Sequence, residues 1–121
     1  EDRARALDLA DEYFHMDATD AVGMYNKAME LTNGELFDVV INCVNIENTE
    51  MASILACKDD GIVYFFSMAT SFTKAALGAE GVGKDVNMLI GNGYTKGHAN
   101  VALQVLRDDE RIMKLFAELY A

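Results

Sequence analysis

The sequence predicts an α/β fold in three layers: a parallel sheet of about four strands with helices on both faces. Two observations carry that expectation. Segments with apolar residues at helical spacing alternate along the chain with short, nearly continuous apolar and β-branched runs. Those runs show no inside–outside alternation, as expected of strands covered on both faces. Strands joined by helical crossovers must lie parallel, and such crossovers are right-handed.

Taken in order, residues 2–10 are short and helical, residues 13–16 form a brief strand, and Asp17-Ala18-Thr19-Asp20 is a polar turn. Asp17 or Thr19 can cap the next helix. That helix covers residues 20–32, with Val22, Tyr25, Met29 and Leu31 near helical spacing, and Asn33-Gly34 stops it. Residues 38–44 are a buried strand, and residues 48–57 a helix that Asn48 or Thr49 can cap. Lys58-Asp59-Asp60-Gly61 reads as a turn, and residues 62–68 as the next buried strand. Residues 71–79 are helical, ended by Gly78, Gly81 and Gly83; residues 86–90 are the last strand, and Gly91-Asn92-Gly93 is a turn. Residues 97–120 are helical, with Ala102, Val105, Leu106, Met113, Phe116 and Leu119 on one side, and Asp108-Asp109 can break the stretch and cap a second helix.

The 121 residues fit one domain spanning 1–121, and 51% hydrophobic with 25% charged residues marks it as globular. A net charge of −10 argues against nucleic acid or an anionic membrane as partner. Cys43 and Cys57 lie in apolar stretches without a zinc or redox spacing. Both read as buried free thiols, which suits a reducing, cytoplasmic setting. The apolar runs are too short to span a membrane, and no signal peptide is seen. Glu1 opens directly into a helical pattern, so a fragment of a longer protein is expected.

Open parallel sheets bind ligands beyond the carboxyl ends of their strands. The segments there are residues 17–19, 42–48, 67–71 and 92–98, all polar and rich in small residues that let a backbone approach a ligand. One polar loop after a buried strand is ordinary; four together point to a site. The order of elements is that of a Rossmann-like fold, yet no G-x-G-x-x-G joins a strand to a helix. The fold therefore lacks the first β-α-β of a full dinucleotide-binding domain. Lys96 and His98 are the candidate catalytic residues, since a lysine can steer an anion or act as base and a histidine can shuttle protons. The same pair also suits an exposed helix N-terminus. His15 reads as structural. Ser67, Thr70, Ser71 and Thr73 have no adjacent base to activate them, and no metal cluster is apparent.

Three runs carry a resemblance: FDVVINCVNIENT at 37–49, IVYFFSMATSFTKAALGAEGVG at 62–83 and NMLIGNGYTKGH at 87–98. With them the chain resembles, from Glu1 to Ala121, the L-erythro-3,5-diaminohexanoate dehydrogenases, which are similar to medium-chain, alcohol-dehydrogenase-like reductases. The resemblance implies an enzyme of lysine fermentation that oxidises an amine carbon of a diamino acid to a ketone, with NAD or NADP taking the hydride and ammonia released. By position in that fold, Asp17 and Ala18 border the adenine. Cys43, Val44 and Asn45 lie near the nicotinamide ribose, and Ser67 and Met68 hold the carboxamide. Asn92 and Tyr94 line the substrate side. The family's catalytic region and glycine loop are expected upstream of Glu1, so the chain alone is expected to be inactive and to bind NAD poorly. In the strand order 3-2-1-4-5-6, removing strands one and two leaves a gap of about 10 Å beside strand four. Three outcomes are open for that edge: the 13–16 strand moves to pair with 38–44, two copies pair into a homo-oligomer, or the missing half arrives as a second chain. The alternative is a non-catalytic α/β interaction or assembly module.

Overall fold

The computed structural model describes residues 2–91 and 93–121. Its elements are helix α1 (Asp2–Leu7), α2 (Ala21–Leu31), strand β1 (Phe37–Asn42), α3 (Glu50–Ala56), β2 (Cys57–Phe65), α4 (Phe72–Val82), β3 (Asn87–Ile90), α5 (His98–Asp108) and α6 (Glu110–Tyr120). Among the described residues, the strands form one parallel sheet in the order β1-β2-β3. The alternating α/β architecture expected from the sequence is what folds, with three strands. No helix is long and apolar enough to cross a membrane among the described residues.

The chain separates into two compact units, residues 16–92 and residues 1–15 with 93–121. In the first, the core is Ile54 of α3, Cys57, Val63 and Phe65 of β2, and Ala75 and Ala79 of α4. Val40 and Met88 from the flanking strands pack against it. Each fully buried side chain of this size contributes about 1.5–3 kcal/mol. Ladder partners Val40–Val63–Met88 put the three strands in register on this covered face.

Within the first unit α3 and α4 pack on the covered face, and apolar residues of the opposite face are exposed. Val39 is 53% exposed, Ile41 65% and Phe66 60%, and Ile62 and Leu89 are also open. Two successive right-handed crossovers that step the same way along a sheet place their helices on one face. Residues 16–92 alone therefore make two layers.

The expected strand at 13–16 does not form. The Tyr13 hydroxyl accepts from the amides of Leu9 and Ala10 at 2.5 and 2.7 Å, and its carbonyl from the Arg5 guanidinium at 2.9 Å. Those groups are engaged locally, and β1 gains no ladder partner from this segment.

β1 ends at Asn42 rather than Val44 because the Asn42 side chain turns back to accept from the Val44 amide at 3.0 Å. Residues 58–61 are a bulge inside β2 rather than a free turn. The register steps from Phe37–Cys57 to Val39–Ile62, with Asp60 left-handed at φ 62°. Gly78 and Gly81 lie within α4, and Gly83 ends it at φ 67°. Gly78 is instead a close-approach residue, since a Cβ there would collide with Met51 Sδ.

Cys57 is buried, and burial pushes its thiol above the usual value; Cys43, against expectation, is exposed. Cys43 follows the residue at which β1 stops, so it leaves the sheet and its cover.

In the second unit, Asp109 separates α5 from α6 and caps α6, accepting from the Arg111 amide at 2.9 Å. Arg111 also donates to the Leu7 carbonyl at 2.7 Å, tying α6 to α1.

Candidate functional site

The carboxyl ends of β1 and β2 are held by a buried polar network. Asn42 is 5% exposed. Its amide donates to the hydroxyls of Thr49 at 2.8 Å and Ser53 at 2.9 Å. Ser53 donates in turn to the Thr49 carbonyl at 3.1 Å. The asparagine thus ties the last residue of β1 to the first turns of α3 and bends residues 42–49 over the strand end.

A second set of contacts joins this loop to the next crossover. Glu50, 2% exposed, accepts from the Ser71 amide at 2.8 Å. The Lys74 ammonium donates to Asn48 Oδ1 at 2.6 Å, and Ser67 Oγ donates to Asn45 Oδ1 at 3.4 Å. Two cavities flank the region. One of about 210 Å³ is lined by Ala18, Val44, Asn42, Thr49 and Ser53 among others, with largely apolar walls. The other, about 480 Å³, is lined by Phe66, Ser67, Met68, Thr70, Phe72, Ile90 and Gly91. Thr70 Oγ1 is buried without a partner. A Cβ on Gly91 would stand 2.8 Å from the Phe66 ring, so glycine keeps that ring in place.

The sequence candidates fall into two groups. Ala18 and Val44 share the first cavity, and Ser67 and Met68 the second. Asn45 meets Ser67, and Cys43 is exposed between Asn42 and Val44. Asp17 does not cap α2, which is Asp20's role. It accepts from the Thr19 hydroxyl at 2.7 Å and amide at 2.9 Å, and the hydroxyl above all holds its carboxyl below the usual range.

Tyr94, Lys96 and His98 belong to the other unit and are exposed; Asn92 lies outside the described residues. Tyr94 stacks on His98 with centroids 4.5 Å apart, and His98 Nδ1 lies 2.9 Å from the Thr95 carbonyl. Sequence reasoning put Asn42 and Thr70 in its candidate segments without giving either a binding role, and missed Glu50. The signal that could have marked Asn42 is a polar residue inside an apolar run, which the reading of 38–44 as one strand passed over.

Several helix N-termini are closed by the protein's own side chains. Asp20 caps α2, Ser71 caps α4 and Asp109 caps α6. Those ends are not free to receive a phosphate.

No family model matches the chain. Two curated proteins do. The chain is 54% identical over 114 residues to the L-erythro-3,5-diaminohexanoate dehydrogenase of Acetoanaerobium sticklandii, covering 94% of this chain and 33% of the relative. It is 52% identical over 104 residues to the protein of that name from Fusobacterium nucleatum subsp. nucleatum, covering 86% of this chain and 30% of the relative. The chain spans about a third of the length of these relatives. Along nearly its whole length, it is therefore a homologue of one third of an L-erythro-3,5-diaminohexanoate dehydrogenase.

Proposed function

We propose that this chain forms part of the nicotinamide-cofactor layer of a cytoplasmic L-erythro-3,5-diaminohexanoate dehydrogenase of lysine fermentation, which yields an amino-oxohexanoate and ammonia. The observation that carries the reading is the 54% identity over 94% of the chain to a protein of that name. The strand-end cavity supports it. Its walls, with Phe66 and Phe72 beside Ser67, suit a flat ring bearing a carboxamide. Bound NAD or NADP would supply the hydride acceptor for the amine carbon, and water would supply the ketone oxygen as ammonia leaves.

The chain's own residues bind and orient. In this reading Ser67 and Met68 serve the carboxamide, Cys43, Val44 and Asn45 the adjoining ribose, and Asp17 with Ala18 the adenine end. The resemblance gives Asn92 and Tyr94 a substrate-side role, and Lys96 and His98 are the proton-transfer candidates. Side chains cap α2, α4 and α6 but not α3 or α5. With no glycine-rich loop between a strand and a helix, pyrophosphate binding falls to another part of the enzyme in this reading, and the isolated chain is expected to be inactive. The test is nicotinamide reduction by the whole enzyme with the diamino acid, beside calorimetry of this chain with NAD and NADP. Substrate-dependent reduction, with millimolar or no binding by the chain alone, is expected. No reduction with either cofactor sinks the reading.

The exposed Val39 and Ile41 on an edge strand favour a second reading, an assembly module without catalysis. It predicts association without any effect of cofactor.

A further inference from the structure

We infer that Glu50 is a positioning residue for the cofactor site, its buried carboxylate anchoring the 67–71 loop through the Ser71 amide. This rests on the dehydrogenase reading above. An acidic residue in the first turn of a helix ordinarily faces water, where it meets the helix dipole at little cost. Glu50 sits in the first turn of α3 but is 2% exposed. It reaches out of its own crossover to accept from Ser71 N–H at 2.8 Å.

Burying a carboxylate is costly, and breaking its pairing leaves both a buried charge and a stranded amide. The contact falls where the loop carrying Ser67, Met68 and Thr70 turns into α4, since Ser71 is the N-cap of that helix. The Lys74–Asn48 contact braces the same two crossovers from the next turn of α4. The braced loop carries Ser67, Met68 and Thr70 along the wall of the cavity of about 480 Å³. Glu50 acts through that loop and touches no reacting atom.

The test uses the whole enzyme with Glu50→Ala, Glu50→Asp and Glu50→Gln. Because a small misplacement of binding groups costs heavily, Glu50→Ala raises the cofactor KM about tenfold with kcat within about twofold. Glu50→Gln, which keeps a carbonyl oxygen for Ser71, stays near wild type. Glu50→Asp, one methylene short, falls between and decides the matter if the alanine variant does not fold. Hydrogen exchange at Ser71 speeds up in the alanine and aspartate variants.

A cofactor KM within about twofold of wild type in both the alanine and aspartate variants overturns the inference, as does failure of glutamine to rescue. In those cases the wild type still turns over. A wild type with no nicotinamide-dependent turnover overturns the dehydrogenase reading and this inference with it.

Discussion

Asn42 shows how one side chain sets the geometry of a strand end. Its carbonyl oxygen takes the Val44 amide, which would otherwise continue the ladder, and its amide group fills the acceptor sites of Thr49 and Ser53. Each bond is modest in net terms, but removing one partner from a buried set leaves the others unsatisfied. Asn42→Ala is expected to destabilise the fold by about 2 kcal/mol, read as a lower urea midpoint with an unchanged slope. A loss below about 0.5 kcal/mol, within the scatter of surface substitutions, would mean that water replaces the network. Asn42 was visible as a polar residue in an apolar run, but the strand was read on to Val44, because Cys43 and Val44 continue the apolar pattern. Glu50 was not legible, because an acid at a helix start reads as solvent-facing, and only the fold brings the Ser71 amide to it.

At the level of elements, the chain's punctuation was read better than its meaning. The acidic pair at 108–109 was read as a break and a cap, and Asp109 is both. The 58–61 run has the composition of a turn, and its left-handed Asp60 is one, but β2 continues through it as a bulge. Composition reports local backbone shape; whether a neighbouring strand pairs across it is a long-range fact. Gly61 marks the crowded point of this bulge. A Cβ there would lie 2.8 Å from the Asp38 carbonyl and 2.9 Å from the Lys58 carbonyl, both backbone atoms that cannot swing away. Gly61→Ala should cost about 3 kcal/mol, at the upper end of ordinary overpacking, and a thermal unfolding midpoint within a degree or so of wild type would contradict it.

Asp109 supplies the pH-dependent case. The Arg111 guanidinium, first, and then backbone amides hold its carboxyl at about 2, below the ordinary 3.8. A folded value below the unfolded one means that the cap's contribution is fully present above about pH 4. It fades as pH falls from there through about 2. Carbon NMR titration of the Asp109 carboxyl should give that midpoint, and protection of the Arg111 and Ile112 amides should fall with it. A midpoint near 4 would show that the cap is not formed.

The whole chain carries two opposing features. Val39, Ile41, Ile62, Phe66 and Leu89 form an uncovered apolar sheet face, beside a β1 edge with no ladder partner among the described residues. Parallel sheets are ordinarily covered on both faces, and an open apolar edge pairs with whatever strand it meets. Against this stands a net charge of −10, which keeps copies apart. Charge repulsion acts over about 10 Å at 0.1 M salt and shortens as salt rises, whereas apolar attraction does not weaken. The balance therefore tips with ionic strength. The chain expressed alone should be nearly monomeric at low salt and associate as salt is raised, seen by sedimentation at several concentrations. Ile41→Lys, placing a charge on the open face at a site already 65% exposed, should suppress that association and leave the unfolding midpoint almost unchanged. If the chain stays monomeric at every salt concentration, the face is too small or too well hydrated to bind a copy. If the lysine variant associates as strongly as wild type, contact runs through another surface, and the exposed ridges of α5 and α6, with Val101, Phe116 and Tyr120, become the next surface to substitute.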